Sequence, residues 1–523
     1  MPENQLRKIN HIVTLMLENR SFDNVLGWLY DPHNDPPFDK VPRAQTFEGV
    51  SGKDLSNPRP GGGLVRVGKN TVMTDPFPDP NEPYDHVYAQ MYGVNPPPHP
   101  IPNTEASPNM QGFVIDYQNA IDQASTPKKG CSRILASLFR GVTPMDYDPG
   151  IIMNCFTPQS LPVINGLANA YAVCDYWFSS VPTQTFPNRS FVHAATSSGH
   201  VLNFWKTGPH AWDIGYLLNK TPTIYNLLSE ANLDWRIYYG NAFLLCNALL
   251  IQDRLWEFVP LDRYFFPFEQ FLEDAKKPGG LPAYTFIEPN MLCSRKYGPE
   301  NHMHPAFAIT ETGAATNALY GDALIYKIYE ALRCSPDWES TLLIIIFDEH
   351  GGTYDHVPTP PPCAVSPDGI VIPCTEPGGS DFDFKRFGVR VPAVLVSPLI
   401  EQGTVCHTQF DHTSVIRTVA NRWLHGQHLT ERDKNANDVS EVLTLSTVRT
   451  DTPDLKPSPT PLFTGCGAHP LSPFHKALLL AATHRLKHHT GESIDLENIK
   501  TTDQAVEAID AKERKVLQAL TGQ

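Results

Sequence analysis

TLLIIIFDEHGGTYDHVPTP, residues 341–360, is the stretch whose reading decides the fold. Leu342 to Phe347 form an unbroken apolar run. It is too short to cross a bilayer and has the length of a strand buried on both faces, as in the parallel sheets of α/β proteins. Asp348, Glu349 and His350 follow at once, then Gly351 and Gly352, so three polar side chains emerge where a strand becomes a loop. Ligands in open α/β sheets sit outside the carboxyl ends of the strands. Adjacent carboxylates at such a mouth repel each other and are costly unless a cation or hydrogen bonds compensate, and a divalent metal ion is the economical partner.

The same pattern occurs near the start of the chain. HIVTLML, residues 11–17, reads as a second buried strand and ends in Glu18, Asn19 and Arg20. Phe22, Val25, Leu26 and Leu29 then recur at helical spacing. Two strands of one parallel sheet would deliver Glu18, Asn19, Asp348 and Glu349 to the same edge. In PTQTFPNRSFVHAATSSG, Pro187 suits a first helical turn, which predicts Thr185 just before a helix N-terminus, where free N–H groups and the dipole favour an anion. Residues 283–289 and 387–400 read as further strands, and 317–333 as a helix leading into the strand at 341–347. Residues 410–424 read as a helix with Asp411 and His412 at its start. The expected fold is α/β, a central, mostly parallel sheet flanked by helices, with loop insertions at 31–112 and 202–280. Residues 1–430 are taken as the catalytic domain and 431–523 as a linker and helical C-terminal segment.

The 523 residues carry 41 Lys and Arg against 56 Asp and Glu, a net charge of -15, which repels phosphate backbones and excludes nucleic acid as a partner. A hydrophobic fraction of 41% is that of a folded globular protein, and 49 Pro with 34 Gly point to many long loops. The ten cysteines show no CxxC or Cys-His zinc spacing and read as reduced, mostly buried thiols. The N-terminal apolar run has no small-residue cleavage pattern, so the expected location is cytoplasmic, or outside the cell by a non-classical export route.

ENRSFDNVLG (18–27), TFPNR (185–189), EPN (288–290), NHMHP (301–305) and DEHGGTYDHVPTP (348–360) occur in this order. Together they resemble the phosphoesterase family of non-specific phospholipases C and related bacterial acid phosphatases, from about Lys8 to Leu424. The resemblance implies an alkaline-phosphatase-like fold and a metal-bound hydroxyl nucleophile. It makes Glu18, Asn19, Asp348 and Glu349 ligands of one divalent ion, with Thr185 as both nucleophile and ligand. The hard oxygen and amide donors suit calcium, magnesium or manganese, and zinc is not excluded. His304 matches the last His of the N-D-x-H-P box, in which His302 stands in place of Asp, and Asp85-His86-Val87 represents the glycine-histidine-serine box. His304, His350, His356 and His86 are therefore the candidate catalytic histidines, and Asn188, Arg189 and His412 the candidate substrate contacts. The implied reaction is phospholipase C hydrolysis through a covalent phosphothreonine, phosphatidylcholine favoured, with peripheral membrane contact. The alternatives are an acid phosphatase and an inactive phosphate-binding protein. Most of the aromatic segment 202–270 reads as core packing, with a quaternary-ammonium pocket as the alternative, and the run ALLLAATHRLKHH (477–489) as an ordinary docked helix, with a place at a lipid surface as the alternative.

Overall fold

The computed structural model describes residues 5–98, 102–103, 106–125, 147–203, 219–310, 313–359, 364–375, 379–463, 465 and 469–521. Eight strands form the central sheet: β1 (His11–Leu17), β2 (Ala172–Cys174), β3 (Trp235–Tyr239), β4 (Phe265–Pro267), β5 (Tyr284–Glu288), β6 (Thr341–Phe347), β7 (Ala393–Val396) and β8 (Thr404–Cys406). Their order is β8-β2-β7-β6-β1-β5-β3-β4. All neighbours are parallel except β7, which runs antiparallel to both β6 and β2. The sheet is thus mixed and mostly parallel, as the two-faced apolar runs predict.

β1 and β6 pair in register from His11 with Thr341 to Leu17 with Phe347, so Glu18 and Asp348 leave the sheet side by side. β5 lies on the other flank of β1 and ends at Glu288. Every residue of β6 is buried, which is why its sequence is apolar without alternation.

The helices used below are α1 (Phe22–Leu26), α2 (Tyr84–Tyr92), α3 (Phe113–Ser125), α4 (Thr185–Ala194), α5 (Ala318–Arg333), α6 (Thr413–Trp423), α7 (Pro473–Thr490) and α8 (Thr502–Thr521). Asn317 caps α5 through the Leu319 N–H, in agreement with the helix expected there. Thr185 is the first helical residue of α4, after an N-cap at Gln184, and so sits inside the helix start rather than before it.

Two readings are decided here and one is corrected. Tyr225, Trp235, Tyr238, Phe243 and Phe265 of the 202–270 segment belong to the core, and residues 204–218 of it lie outside the described residues. In α7 the residues Ala477, Leu478, Leu479, Ala481, Ala482 and Leu486 pack into that same core, and Arg485 reaches Asp253 at 2.6 Å. The helix is therefore docked, with its apolar face covered by protein, and is not free to lie on lipid. Cys293 is disulfide-bonded, which spacing alone could not reveal, while Cys155, Cys174, Cys246, Cys334, Cys374 and Cys406 are thiols. Among the described residues no helix is long and apolar enough to cross a membrane.

Candidate active site

The turn after β1 and the turn after β6 interlock. Asn19 sits at φ 56°, and its N–H donates to Asp348 Oδ1 at 3.1 Å, which also accepts the Glu349 N–H at 2.7 Å. Gly351 has φ 61°, and a Cβ there would lie 2.1 Å from the Asn19 carbonyl oxygen, so only glycine fits this approach. The Asn19 amide Nδ2 donates to Glu349 Oε1 and to Glu82 Oε1, both at 2.6 Å. Glu349 Oε2 accepts the Gly351 N–H at 2.7 Å. Glu18, Asn19, Asp348 and Glu349, expected at one edge, are all there and have no solvent exposure.

α4 is tied to this edge by Arg189. Its Nε donates to Asp348 Oδ2 at 3.1 Å, and Nη2 lies 3.4 Å from Glu18 Oε1 and donates to the Met16 carbonyl at 3.2 Å. Thr185 lies one helical turn earlier, on the same face, and its hydroxyl has no hydrogen bond within the described residues. The Phe186 N–H is taken by Asn203 Oδ1 at 2.8 Å, and Pro187 has no N–H, so the helix start offers a phosphate little.

Several expected roles change. Arg189 is fully buried with Nε and Nη2 turned to carboxylates, while its Nη1 has no hydrogen-bond partner among the described residues. Asn188 is spent on the loop before α4: it accepts the Val181 N–H and donates to the carbonyls of Val181, Thr183 and Gln184. His412 donates from Nε2 to the Asp348 carbonyl at 2.6 Å and accepts from Trp177 at Nδ1, so it orients the Asp348 turn instead of contacting substrate. Burial pushes its pKa down to about 4. His356 pairs with Asp23 at 2.6 Å and Glu48 at 2.9 Å, in a separate cluster with Asp355 and Arg390. His86 bonds Asp116 at 2.6 Å, and Asp116 accepts from Gln90, whose Oε1 accepts from His350 Nε2 at 2.7 Å. His350 Nδ1 lies 3.3 Å from Glu349. The two histidines therefore stand at opposite ends of one hydrogen-bonded chain.

The side chain that the loop before α2 sends into the site is Glu82, which sequence reasoning missed along with Asp79. His304 Nε2 lies 3.1 Å from Glu82 and Nδ1 3.5 Å from Asp79. The signal was present as two acids three apart in the proline-rich DPNEP, but a loop without periodicity does not announce its path. Also missed was the reach of α7: His475 Nε2 lies 3.2 Å from Glu300, Glu300 lies 3.4 Å from His302 Nε2, and His302 Nδ1 lies 3.7 Å from Glu18.

Charge in this centre is out of balance. Burial, opposed by Arg189 and assisted by Asp348, pushes the Glu18 pKa up to about 8. Burial together with Glu82 and Asp348 holds Glu349 well above the usual range, and burial raises Asp79 to about 7. Burial opposes a charged His304, but Asp79 and Glu82 outweigh it and hold that imidazole well above its ordinary value. Both Glu18 oxygens and Asn19 Oδ1 are buried without hydrogen bonds. Orphan hard oxygens amid mutually repelling carboxylates fit a divalent cation.

The chain matches the Phosphoesterase family over residues 9–424. The chain belongs to that family. It is a phosphoric ester hydrolase. Among curated relatives of this phosphoesterase, non-specific phospholipase C3 of Arabidopsis thaliana is 35% identical over 85% of this chain and 75% of its own length. Non-specific phospholipase C4 of the same plant is 34% identical over 87% and 75%. Phospholipase C B of Mycobacterium tuberculosis is 25% identical over 80% and 74%. Among solved structures, a protein in the alkaline phosphatase superfamily from Vibrio parahaemolyticus covers 53% of this chain and 63% of its own, at 11% identity and a TM-score of 0.28.

Proposed function

We propose that this phosphoesterase is a metal-dependent phospholipase C that cleaves glycerophospholipids on the glycerol side of the phosphate through an ester of Thr185. The observation that carries the reading is the tie of α4 to the acidic edge: Arg189 holds the helix against Glu18 and Asp348, one turn from the unpartnered Thr185 hydroxyl. Glu18, Asn19, Asp348 and Glu349 would hold a divalent ion. When bound, the ion supplies charge that lowers the pKa of a coordinated hydroxyl and offsets charge on the phosphate.

Thr185 Oγ gives up its proton and forms the bond to phosphorus as the bond from phosphorus to the glycerol oxygen breaks, and net transfer of that proton to the glycerol oxygen releases diacylglycerol. Water then displaces Thr185 and releases the phosphorylated head group. Arg189 fixes the helix and offsets part of the burial that raises the Asp348 pKa. Tyr84, Tyr88, Tyr92 and Phe382 line a cavity of about 210 Å³ with Asp383, Lys385 and Arg386. Tyr84 follows Glu82 by two residues, and Pro182, also in the lining, precedes Thr185 by three. Asp383 is paired with Lys385 at 3.5 Å and Arg386 lies over Tyr92, so what the wall would offer a quaternary ammonium is its ring faces, at roughly 0.5–2 kcal/mol per cation over a ring.

The test is to incubate the metal-supplemented protein with phosphatidylcholine vesicles, with other head groups, and with p-nitrophenyl phosphate. Diacylglycerol and phosphocholine are expected. Inorganic phosphate from the monoester with no diacylglycerol would make the protein an acid phosphatase.

A further inference from the structure

We infer that the active centre holds a second divalent cation, ligated by Asp79, Glu82 and His304, next to the ion assigned to Glu18, Asn19, Asp348 and Glu349. The inference rests on that first assignment and adds a site to it.

Three observations lead there. First, the ligand atoms of Asp79, Glu82 and His304 lie within 4.8 Å of one another, the spread of donors around one ion. The His304 Nε2 to Glu82 distance of 3.1 Å is close to the separation of two neighbouring ligands on one metal, about 3.0 Å when each bond is about 2.1 Å at a right angle.

Second, the imidazole is oriented as a ligand. His304 Nδ1 is 2.8 Å from the Pro305 carbonyl oxygen, which can only accept, so Nδ1 carries a proton. A metal-bound histidine characteristically donates its other ring N–H to a backbone carbonyl or carboxylate. With Nδ1 so committed, a neutral ring turns its Nε2 lone pair toward a carboxylate oxygen of Glu82. Two lone pairs at that distance require a cation between them or a proton on the nitrogen.

Third, charge decides between those two. Glu18, Asp79, Glu82, Asp348 and Glu349 bring five carboxylates to the centre, and Arg189 is the guanidinium paired with them. Arg20, buried nearby, is hydrogen-bonded to the Met303 and Asp75 carbonyls and lies in the field of the Asp75 carboxylate as well as of Asp79. With all five carboxylates deprotonated, as metal ligation requires, setting Arg20 against Asp75 leaves four negative charges. One divalent ion leaves two of them, and protonating His304 removes only one more, so the centre would still repel an anionic phosphoester. Two divalent ions bring it to neutrality. Asn19 Oδ1 is buried without a hydrogen-bond partner, as is Asp79 Oδ1, which lies 3.5 Å from His304 Nδ1. The mixed nitrogen and oxygen set suits zinc or manganese better than calcium.

The test counts ions without using activity. The full chain is stripped with chelator, loaded with Mn²⁺, freed of excess metal by gel filtration and assayed by mass spectrometry for manganese per chain, with electron paramagnetic resonance on the same samples. Wild type is expected to hold two ions with a spin-coupled spectrum. Asp79→Asn and His304→Gln are each expected to hold one, with the six-line spectrum of an isolated ion. One ion in the wild type, kept in Asp79→Asn and lost in Asp348→Asn, would overturn the second site while leaving the first assignment intact. One ion lost in Asp79→Asn and kept in Asp348→Asn would keep the new site and contradict the first. The wild-type count decides even if a variant fails to fold.

Discussion

Two buried clusters of acids, a histidine and an arginine lie at this end of the sheet, and each contains a triad close enough to hold a metal: Asp23, Asp355 and His356, and Asp79, Glu82 and His304. In the first, Arg390 sits between the acids, with Nη2 2.9 Å from Asp23, Nε 2.9 Å from Asp355 and Nη1 on the carbonyls of Glu48 and Asp175. Burial would raise Asp23, but His356 and Arg390 hold it below the usual carboxylate range. In the second, Arg189 serves two carboxylates of five and orphan oxygens remain. The same residue types thus build a closed ion-pair network in one place and an open, cation-seeking site in the other. What separates them is charge balance, which is a property of the neighbourhood and not of the motif.

The comparison breaks most visibly in activity. Thr185→Ala should lower kcat by at least about 10³-fold, as loss of a covalent nucleophile does, with the melting temperature little changed. Arg390→Met should do the reverse: stripping the cation from Asp23 and Asp355 should cost about 3–5 kcal/mol in urea unfolding. Wild-type stability in Arg390→Met would show that the first cluster is not closed. Added divalent ion should stabilise the protein by about 2.7 kcal/mol at a hundredfold excess over Kd, read as a thermal shift. That shift should survive His356→Gln and shrink in Glu18→Gln, which removes a ligand of the first ion.

The smallest effect is a pH dependence. Burial opposes a charged His356, but Asp23 overcomes it and raises the pKa above 6.5 in the folded state. The stability this contributes is complete below pH 6.5 and is lost as pH rises through the raised value. The unfolding free energies of wild type and His356→Gln should therefore differ most in mild acid and converge in mild alkali. A difference that grows with pH would contradict the pairing.

The part of this picture legible in sequence is the part set by periodicity. The apolar runs at 11–17 and 341–347 gave two parallel strands, and their register followed from the acids at their ends. Pro187 located the start of α4 to within one residue. Illegible were contacts made by loops and by partners far along the chain. Arg390 meets Asp23 across 367 positions, so nothing local told His356 from an active-site histidine. Glu82 and Asp79 arrive from a proline-rich loop whose course depends on tertiary packing. The aromatic residues of 202–270 and the leucines of α7 were ambiguous for another reason: apolar content alone does not say whether a face meets core, ligand or lipid.

The central claim, nucleophilic attack by Thr185 on a phospholipid, is tested most directly by trapping the enzyme ester. Metal-loaded protein is mixed with short-chain phosphatidylcholine, quenched in acid within the first turnover, digested and mapped by mass spectrometry. The predicted result is a phosphocholine ester on the peptide containing Thr185, absent from Thr185→Ala. Rapid turnover with that peptide unmodified, and with Thr185→Ala as active as wild type, would contradict it.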